Sequence, residues 1–271
     1  MTPDDLQRIR DSQGWRVRRI EVFHGTSVGS VLVKGQRPKR PGWRYRLLNA
    51  LAGVAGLPLL RAAPAHGGAQ AQQIEVRRLR ELAAAGVPVP QVLHVEPDFF
   101  VQRYVGDHAL DKLLRQPQAA LWWQRGLQAL VALHARDQYL SQAFARNFIA
   151  SGEQLAMIDF EDDPLEVMSL HQAQARDWLA YLHSAARALR GQAAATDLLR
   201  AELARESAPV RALVADTARR LRWVQRLPAG DGRGWRRHVA ILKAAVALML
   251  AADAADDNSR DDDKVIHARH H

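Results

Sequence analysis

The chain has 271 residues, 48% of them hydrophobic and 25% charged, with no cysteine and a formal net charge of +9. That length suits one large domain or two lobes around a cleft, and the composition is that of an ordinary globular protein. The absence of cysteine excludes disulfides, thiolate metal sites and a cysteine nucleophile, and agrees with a reducing cytoplasm.

The N-terminus, MTPDDLQRIRDSQGWRVRR, is polar and lacks the apolar core of a secretory signal. Residues 15–23 and 28–34 are rich in β-branched residues and flank GTSVG, which predicts a hairpin or two strands of a small sheet. KGQRPKRPGWRYR (34–46) is basic and turn-rich. LLNALAGVAGLPLL (47–60) is the longest apolar stretch, too short to span a bilayer and interrupted by Pro58. It reads as a buried helix or as a segment lying on a membrane. Residues 70–86 form a helix with Ile74, Leu79 and Leu82 on one face and Gly86 as its stop. Residues 87–106 read as two strands joined by a Pro-Asp turn. Helices follow at 109–114 and 121–137, and short strands at 147–150 and 155–160 flank the turn SGEQ. Everything from 165 to 253 is helical in pattern, in segments 165–191, 194–204, 208–227 and 235–253. The charged tail from 254 is expected to be disordered. No repeat of 20–50 residues is present. A small sheet followed by a mostly helical half makes an α+β chain in two lobes.

Charge is uneven along this order. Residues 1–46 hold eleven Lys/Arg against four Asp/Glu, whereas residues 151–177 hold seven acids against one arginine. A basic front end suits an anionic partner, whether phosphorylated lipid, nucleic acid or a membrane surface, although arginine-rich composition throughout the chain is an equal explanation. Strongly salt-dependent duplex binding would mark a nucleic-acid protein, but no specific nucleic-acid recognition motif is present.

Five short stretches carry chemistry. VLVK (31–34) ends an apolar strand in Lys34, with Arg37 and Lys39 as competitors if the register differs. Glu75 lies in the 70–86 helix, beside Arg77 and Arg78, and ahead of LRELAAAGVPVP. FFVQRYVGD (99–107) is a strand running into a linker, and MIDFE (157–161) leads an apolar strand into Asp159, twelve residues after Asn147. RDWLAYL (176–182) opens a helix with Asp177.

In this order the stretches resemble the protein-kinase-like superfamily, nearest the bacterial lipopolysaccharide kinases that act on Kdo and heptose. The resemblance covers residues 28–182, rather more than half of the chain. It implies a two-lobed kinase-like fold, with residues 1–106 as the N-lobe bearing a basic and apolar insertion at 34–70. Residues 107–253 would form a helical C-lobe with the catalytic loop and metal-binding hairpin, and 254–271 a disordered tail. It further implies ATP and Mg2+ as cofactors. Lys34 would hold the phosphates, Glu75 would orient Lys34, and adenine would lie near Gln102 to Tyr104. Asn147 and Asp159 would hold the metal, and Asp177 would brace the catalytic loop. The implied activity is phosphoryl transfer to a sugar or lipid-linked hydroxyl. The implied setting is cytoplasmic, at the inner membrane face, with anionic lipid or a lipopolysaccharide precursor as partner and the 34–60 segment making peripheral contact.

Three departures bear on activity. With Asn147 in register, the usual catalytic aspartate position holds Gln142, which cannot act as a base but can hydrogen-bond an acceptor hydroxyl. Asp137, in HARD (134–137), is a rescue base out of register. Asp162 and Asp163, in a run that reads as solvated, are further candidates for the base or for a second cation. GTSVGS (25–30) is a poor glycine loop, equally a hairpin turn, and Glu161 stands where kinases usually carry glycine. Because a base contributes about 10²–10⁴-fold, its loss leaves two readings: a slow phosphotransferase, or a pseudokinase that binds nucleotide or a partner without transfer.

Overall fold

The computed structural model describes residues 1–38, 58–64, 66–189, 193–228, 230 and 235–268. Lys39 and most of the basic and apolar segment 34–60 lie outside them; only 34–38 and 58–60 are described, the latter a single 3-10 turn. Among the described residues, no helix is long and apolar enough to cross a membrane. The chain divides into two compact units.

The first unit comprises Met1–Ala109, Leu140–Gln142 and Asn147–Ser169. It is built on a four-stranded antiparallel sheet of order β1-β2-β4-β3, with β1 Ile20–Thr26, β2 Gly29–Gly35, β3 Val92–Val95 and β4 Phe99–Arg103. Side chains alternate across a strand. Val31, Val33, Phe99 and Val101 therefore share one face, where they pack with Ile9 and Trp15. Leu32, Lys34, Phe100 and Gln102 share the other. Phe99 through Gln102 are buried without interruption, as expected of a strand covered on both sides.

Ile9 and Trp15 come from two short helices, α1 (Pro3–Asp11) and α2 (Gly14–Arg18). Neither follows from the β-rich reading of residues 15–23, and residues 15–18 are helical rather than extended. The cause is long-range. The Trp15 indole donates to the Ile9 carbonyl at 2.7 Å, Glu21 accepts from the Trp15 amide at 2.9 Å, and Arg19 reverses the chain in the left-handed region. The start of α1 did have a local signal. Thr2 and Asp5 form a reciprocal capping box around Pro3.

Helix α3 (Gly68–Ala84) brings Glu75 to the polar-bearing face of the sheet. A two-stranded ribbon, β5 (Phe148–Ser151) with β6 (Gln154–Met157), also belongs to this unit. Sequence order assigns that ribbon to the helical half. It joins the first unit because β5 bridges Ala109 and because the Met157 amide donates to the Pro88 carbonyl at 2.9 Å.

The second unit is helical: α4 Leu110–Leu113, α5 Ala119–His134, α6 Leu170–Ala185, α7 Ala193–Leu203, α8 Ala208–Leu221 and α9 Trp235–Ala268. Helix α9 continues through residues 254–268, where composition suggests disorder; the alanines at 251, 252, 254 and 255 have the highest helix propensity of any residue. Trp123 of α5 stacks on Tyr181 of α6 at 5.4 Å, and Gly126 makes room for the Tyr181 hydroxyl, which a methyl at that position would overlap.

The polar centre of this unit is His134. Its Nδ1 lies 2.7 Å from Glu206 and its Nε2 3.4 Å from Asp177, both carboxylates being buried, and the Trp178 indole donates to Glu206 at 2.9 Å. Burial pushes the imidazolium down, but the two carboxylates outweigh it and hold His134 up to about 9. The charged imidazole therefore stabilises this unit fully below its ordinary value of 6.5, and that contribution fades as pH rises through about 9. Denaturant unfolding from pH 6 to 10 is predicted to show the wild type losing stability across this window, and His134→Gln losing much less of it. Parallel pH profiles would contradict the assignment.

Candidate functional site

Lys34 lies near the end of β2, opposite Phe100 of β4, so its side chain leaves the sheet on the face away from Ile9 and Trp15. Arg37 lies beyond the end of β2, and Lys39 lies outside the described residues. Its ammonium donates to Glu75 at 2.8 Å and to Asp159 at 3.2 Å, and lies 3.1 Å from Glu161. Lys34 and Glu75 are both buried, at 7% and 2% exposure. Burial alone would push the lysine down; Glu75, Asp159 and Glu161 together raise it above the ordinary lysine range. Burial raises Glu75, against the opposing pull of Lys34. Glu75 is buried against Lys34 and makes no exposed pairing along its helix. Instead Arg78 pairs with Glu81 and Arg77 reaches Asp163.

Glu161 is the member that sequence reasoning did not rate. Its carboxylate meets Lys34, Arg37 at 2.7 Å and Arg19. Burial works to raise it, yet these three cations hold it down to about 2. Arg37 also donates to Asp162 at 2.9 Å. Among the described residues, three cations, Lys34, Arg19 and Arg37, thus face four carboxylates, Glu75, Asp159, Glu161 and Asp162. The surplus is one negative charge, and the most open of these carboxylates is Asp159, whose side chain is 34% exposed. A desolvated negative surplus with one accessible carboxylate suits a cation arriving from solvent.

Asp159 adopts φ +73°, the left-handed region that a non-glycine residue seldom occupies. The conformation follows directly after β6 and accompanies the approach of its carboxylate to Lys34. Asn147 immediately precedes the same ribbon; the Ile158 amide donates to its carbonyl at 3.0 Å, which ties it to the residue before Asp159. The Asn147 amide nitrogen donates to the Gln142 carbonyl at 2.8 Å, closing the loop and leaving the Asn147 side-chain oxygen as the end that could meet a metal. Magnesium commonly takes only one or two protein oxygens and completes its shell with water and phosphate. Asn147 and Asp159 fit that donor set, although no group of three or more His, Cys, Asp or Glu suited to a metal occurs among the described residues.

Gln142 is held beside this cluster. Its amide donates to Asp162 at 3.1 Å, while Ser141 donates to the Asp162 carbonyl. The acidic run is therefore not solvated. Asp162 is shared by Arg37 and Gln142, and Asp163 accepts from Arg77 at 2.7 Å and caps its own short turn through the Leu165 amide at 3.1 Å. Both are buried. The sequence reading failed because adjacent acids look exposed when their cations lie 125 or 86 residues away. Asp137 belongs to the second unit, exposed just past α5 with φ +54°, and is not part of the Lys34 cluster. Asp177 likewise belongs to the second unit, beside His134.

The GTSVGS stretch is a hairpin turn whose tip is spoken for. Asp5 accepts from the Ser27 amide at 3.1 Å and from its hydroxyl at 2.6 Å, and these bonds drive Asp5 below the usual carboxylate range. Gln102 is buried on β4, on the Lys34 face, and Tyr104, half-buried beyond the strand, donates its amide to the Ser30 carbonyl at 3.1 Å.

No family model matches this chain, and no curated protein matches it.

Glu161→Gln removes the carboxylate on which three cations converge. Breaking a buried ion pair from one side costs about 3–5 kcal/mol, so a loss of that order is predicted in denaturant unfolding at pH 7. Because the folded-state value is depressed, the Glu161 contribution is present above its ordinary 4.5 and disappears as pH falls through about 2. The acid limb of the stability profile should therefore be shallower in Glu161→Gln than in the wild type.

Proposed function

We propose that this protein is an ATP-dependent phosphotransferase of the lipopolysaccharide-kinase type, acting on a sugar or lipid-linked hydroxyl. The observation that carries the reading is the meeting of Lys34, Glu75 and Asp159 in one buried cluster, from residues that lie 41 and 125 apart in the chain. Phosphoryl transfer asks a protein chiefly for positioning and charge, since its transition state is loose. Lys34 supplies a fixed positive charge for the phosphate oxygens, and Glu75 keeps that charge aimed. Asn147 and Asp159 would hold Mg2+, which when bound neutralises charge on the phosphates. Gln142 can orient an acceptor hydroxyl by hydrogen bonding but cannot take its proton. Anionic lipid or a lipopolysaccharide precursor is the acceptor class that the basic N-terminal region favours, and such an acceptor places the protein at the inner membrane face.

A second reading rests on Gln142 itself. Its amide is committed to Asp162, and Asp162 is committed to Arg37. That arrangement suits a pseudokinase, which retains the nucleotide site and has given up transfer.

Thermal melting with and without Mg-ATP tests the common part. A ligand that binds only the native state, at about 100 times Kd, adds about 2.7 kcal/mol of stability. The wild type should melt clearly higher with Mg-ATP, and Asp159→Ala should lose most of the shift. No shift in the wild type would overturn both readings. Given a shift, ADP release that depends on an added acceptor separates the enzyme from the pseudokinase.

A further inference from the structure

The second unit contains a cavity of about 370 Å³ between α7, α8 and α9. That is within the size range of small-ligand sites. Leu203, Val214 and Met249 give it apolar walls, and alanines of α8 and α9 leave the room. Three guanidinium side chains line it as well: Arg200 on α7, and Arg211 and Arg219 on α8. Arg211, Ala215 and Arg219 follow one another at four-residue steps along one face of α8, about 6 Å per step.

Each arginine is anchored and still has donors to give. Arg211 donates through one terminal nitrogen to the Ala204 carbonyl at 3.2 Å and the Glu206 carbonyl at 2.5 Å. Arg219 donates through one nitrogen to Asp253 at 3.0 Å. Arg200 donates to Asp197 at 3.0 Å and to the Ala251 carbonyl at 3.4 Å, while its buried Nε has no partner. A guanidinium carries five N–H donors, so these contacts fix three forks without exhausting them. A fixed fork is what bidentate recognition of an anion needs. Among the described lining residues the one carboxylate is Asp253; Asp197 lies outside the lining and its side chain is 72% exposed. The lining therefore holds a surplus of two positive charges. Bracing of the helices accounts for the anchoring bonds, but not for the hollow beside them or for the charge left over.

A phosphate monoester carries about −1.5 to −2 charges at pH 7, which matches that surplus, and an aliphatic group on it would meet the apolar walls. We infer that this cavity binds a phosphate monoester bearing a short aliphatic chain. The site lies wholly within the second unit and does not depend on the nucleotide reading.

The test is calorimetric titration of the full chain with hexyl phosphate, inorganic phosphate and hexanol. Hexyl phosphate should bind with a Kd below about 1 mM and about tenfold or more tighter than either fragment, since each buried methylene adds to affinity. Two variants locate the binding. Arg219→Gln keeps the room and removes a charge. Ala215→Leu keeps the charges and fills the room, at little cost to the helix because leucine is nearly as good a helix former as alanine. Each should weaken hexyl phosphate by about tenfold or more, and both should melt close to the wild type without ligand. Should one variant fail to fold, the other decides. Binding that a folded variant leaves unchanged overturns the inference, since the ligand would then sit elsewhere, for example against Lys34. So does a wild type that does not bind hexyl phosphate, or that binds inorganic phosphate as tightly. Release of bound hexyl phosphate by vesicles carrying phosphatidic acid would mark the natural ligand as a lipid, and no release a free phosphate ester; the inference holds in both cases.

Discussion

A lysine ammonium held out of water needs counter-charges, and most of the first unit can be understood as the arrangement that supplies them. Lys34 is buried, so Glu75 must come to it on α3 and Asp159 on the segment after β6. Glu161 follows and would in turn be over-supplied with negative neighbours, so Arg19 and Arg37 close on it. The partners arrive from four places in the fold: Arg19 after α2, Arg37 after β2, Glu75 on α3, and Asp159 with Glu161 after β6. Removing one charge leaves the others buried and uncompensated, which is a severe penalty. The cluster therefore couples elements that are far apart in sequence, and it keeps the side chains that would meet phosphate in fixed positions.

The same pairing of charges bears on the proposed transfer. The position expected to carry a general base holds Gln142, and the nearest carboxylate, Asp162, is already paired with Arg37. Both Asp162 side-chain oxygens are engaged, one by the Arg37 guanidinium and one by the Gln142 amide. Any transfer chemistry here would draw on position and charge, and whatever proton leaves the acceptor would do so late.

The sequence revealed some parts of this and not others, for identifiable reasons. Lys34 was legible because an apolar strand ends on it, and Asp159 because an apolar strand runs into it. The helix bearing Glu75 was legible from Ile74, Leu79, Leu82 and its Gly86 stop. The hairpin of β3 and β4 was marked by Pro97 and Asp98. In each case the signal is local. Arg19, Arg37 and Glu161 were not assigned together because Arg19 and Glu161 are 142 residues apart and nothing local marks either as a partner. The same blindness made Asp162 and Asp163 look solvated. Helix α1 was missed despite a local signal, the capping box of Thr2 and Asp5, whereas α2 was misread because Trp15 and Val17 alternate with Arg16 and Arg18 like a strand. In the second unit the helices were plain from periodicity, but His134, Asp177 and Glu206 meet only through packing.

The central claim is that the Lys34–Glu75 pair organises the site, and a double-mutant cycle measures it most directly. Lys34→Met, Glu75→Leu and the double variant would be unfolded in denaturant at pH 7. Each single change should cost about 3–5 kcal/mol, because it strands a buried charge. The double variant should cost clearly less than the two together, with a coupling of about 1–3 kcal/mol. Strictly additive losses would mean that the two groups do not depend on each other, and the account built on their pairing would fail.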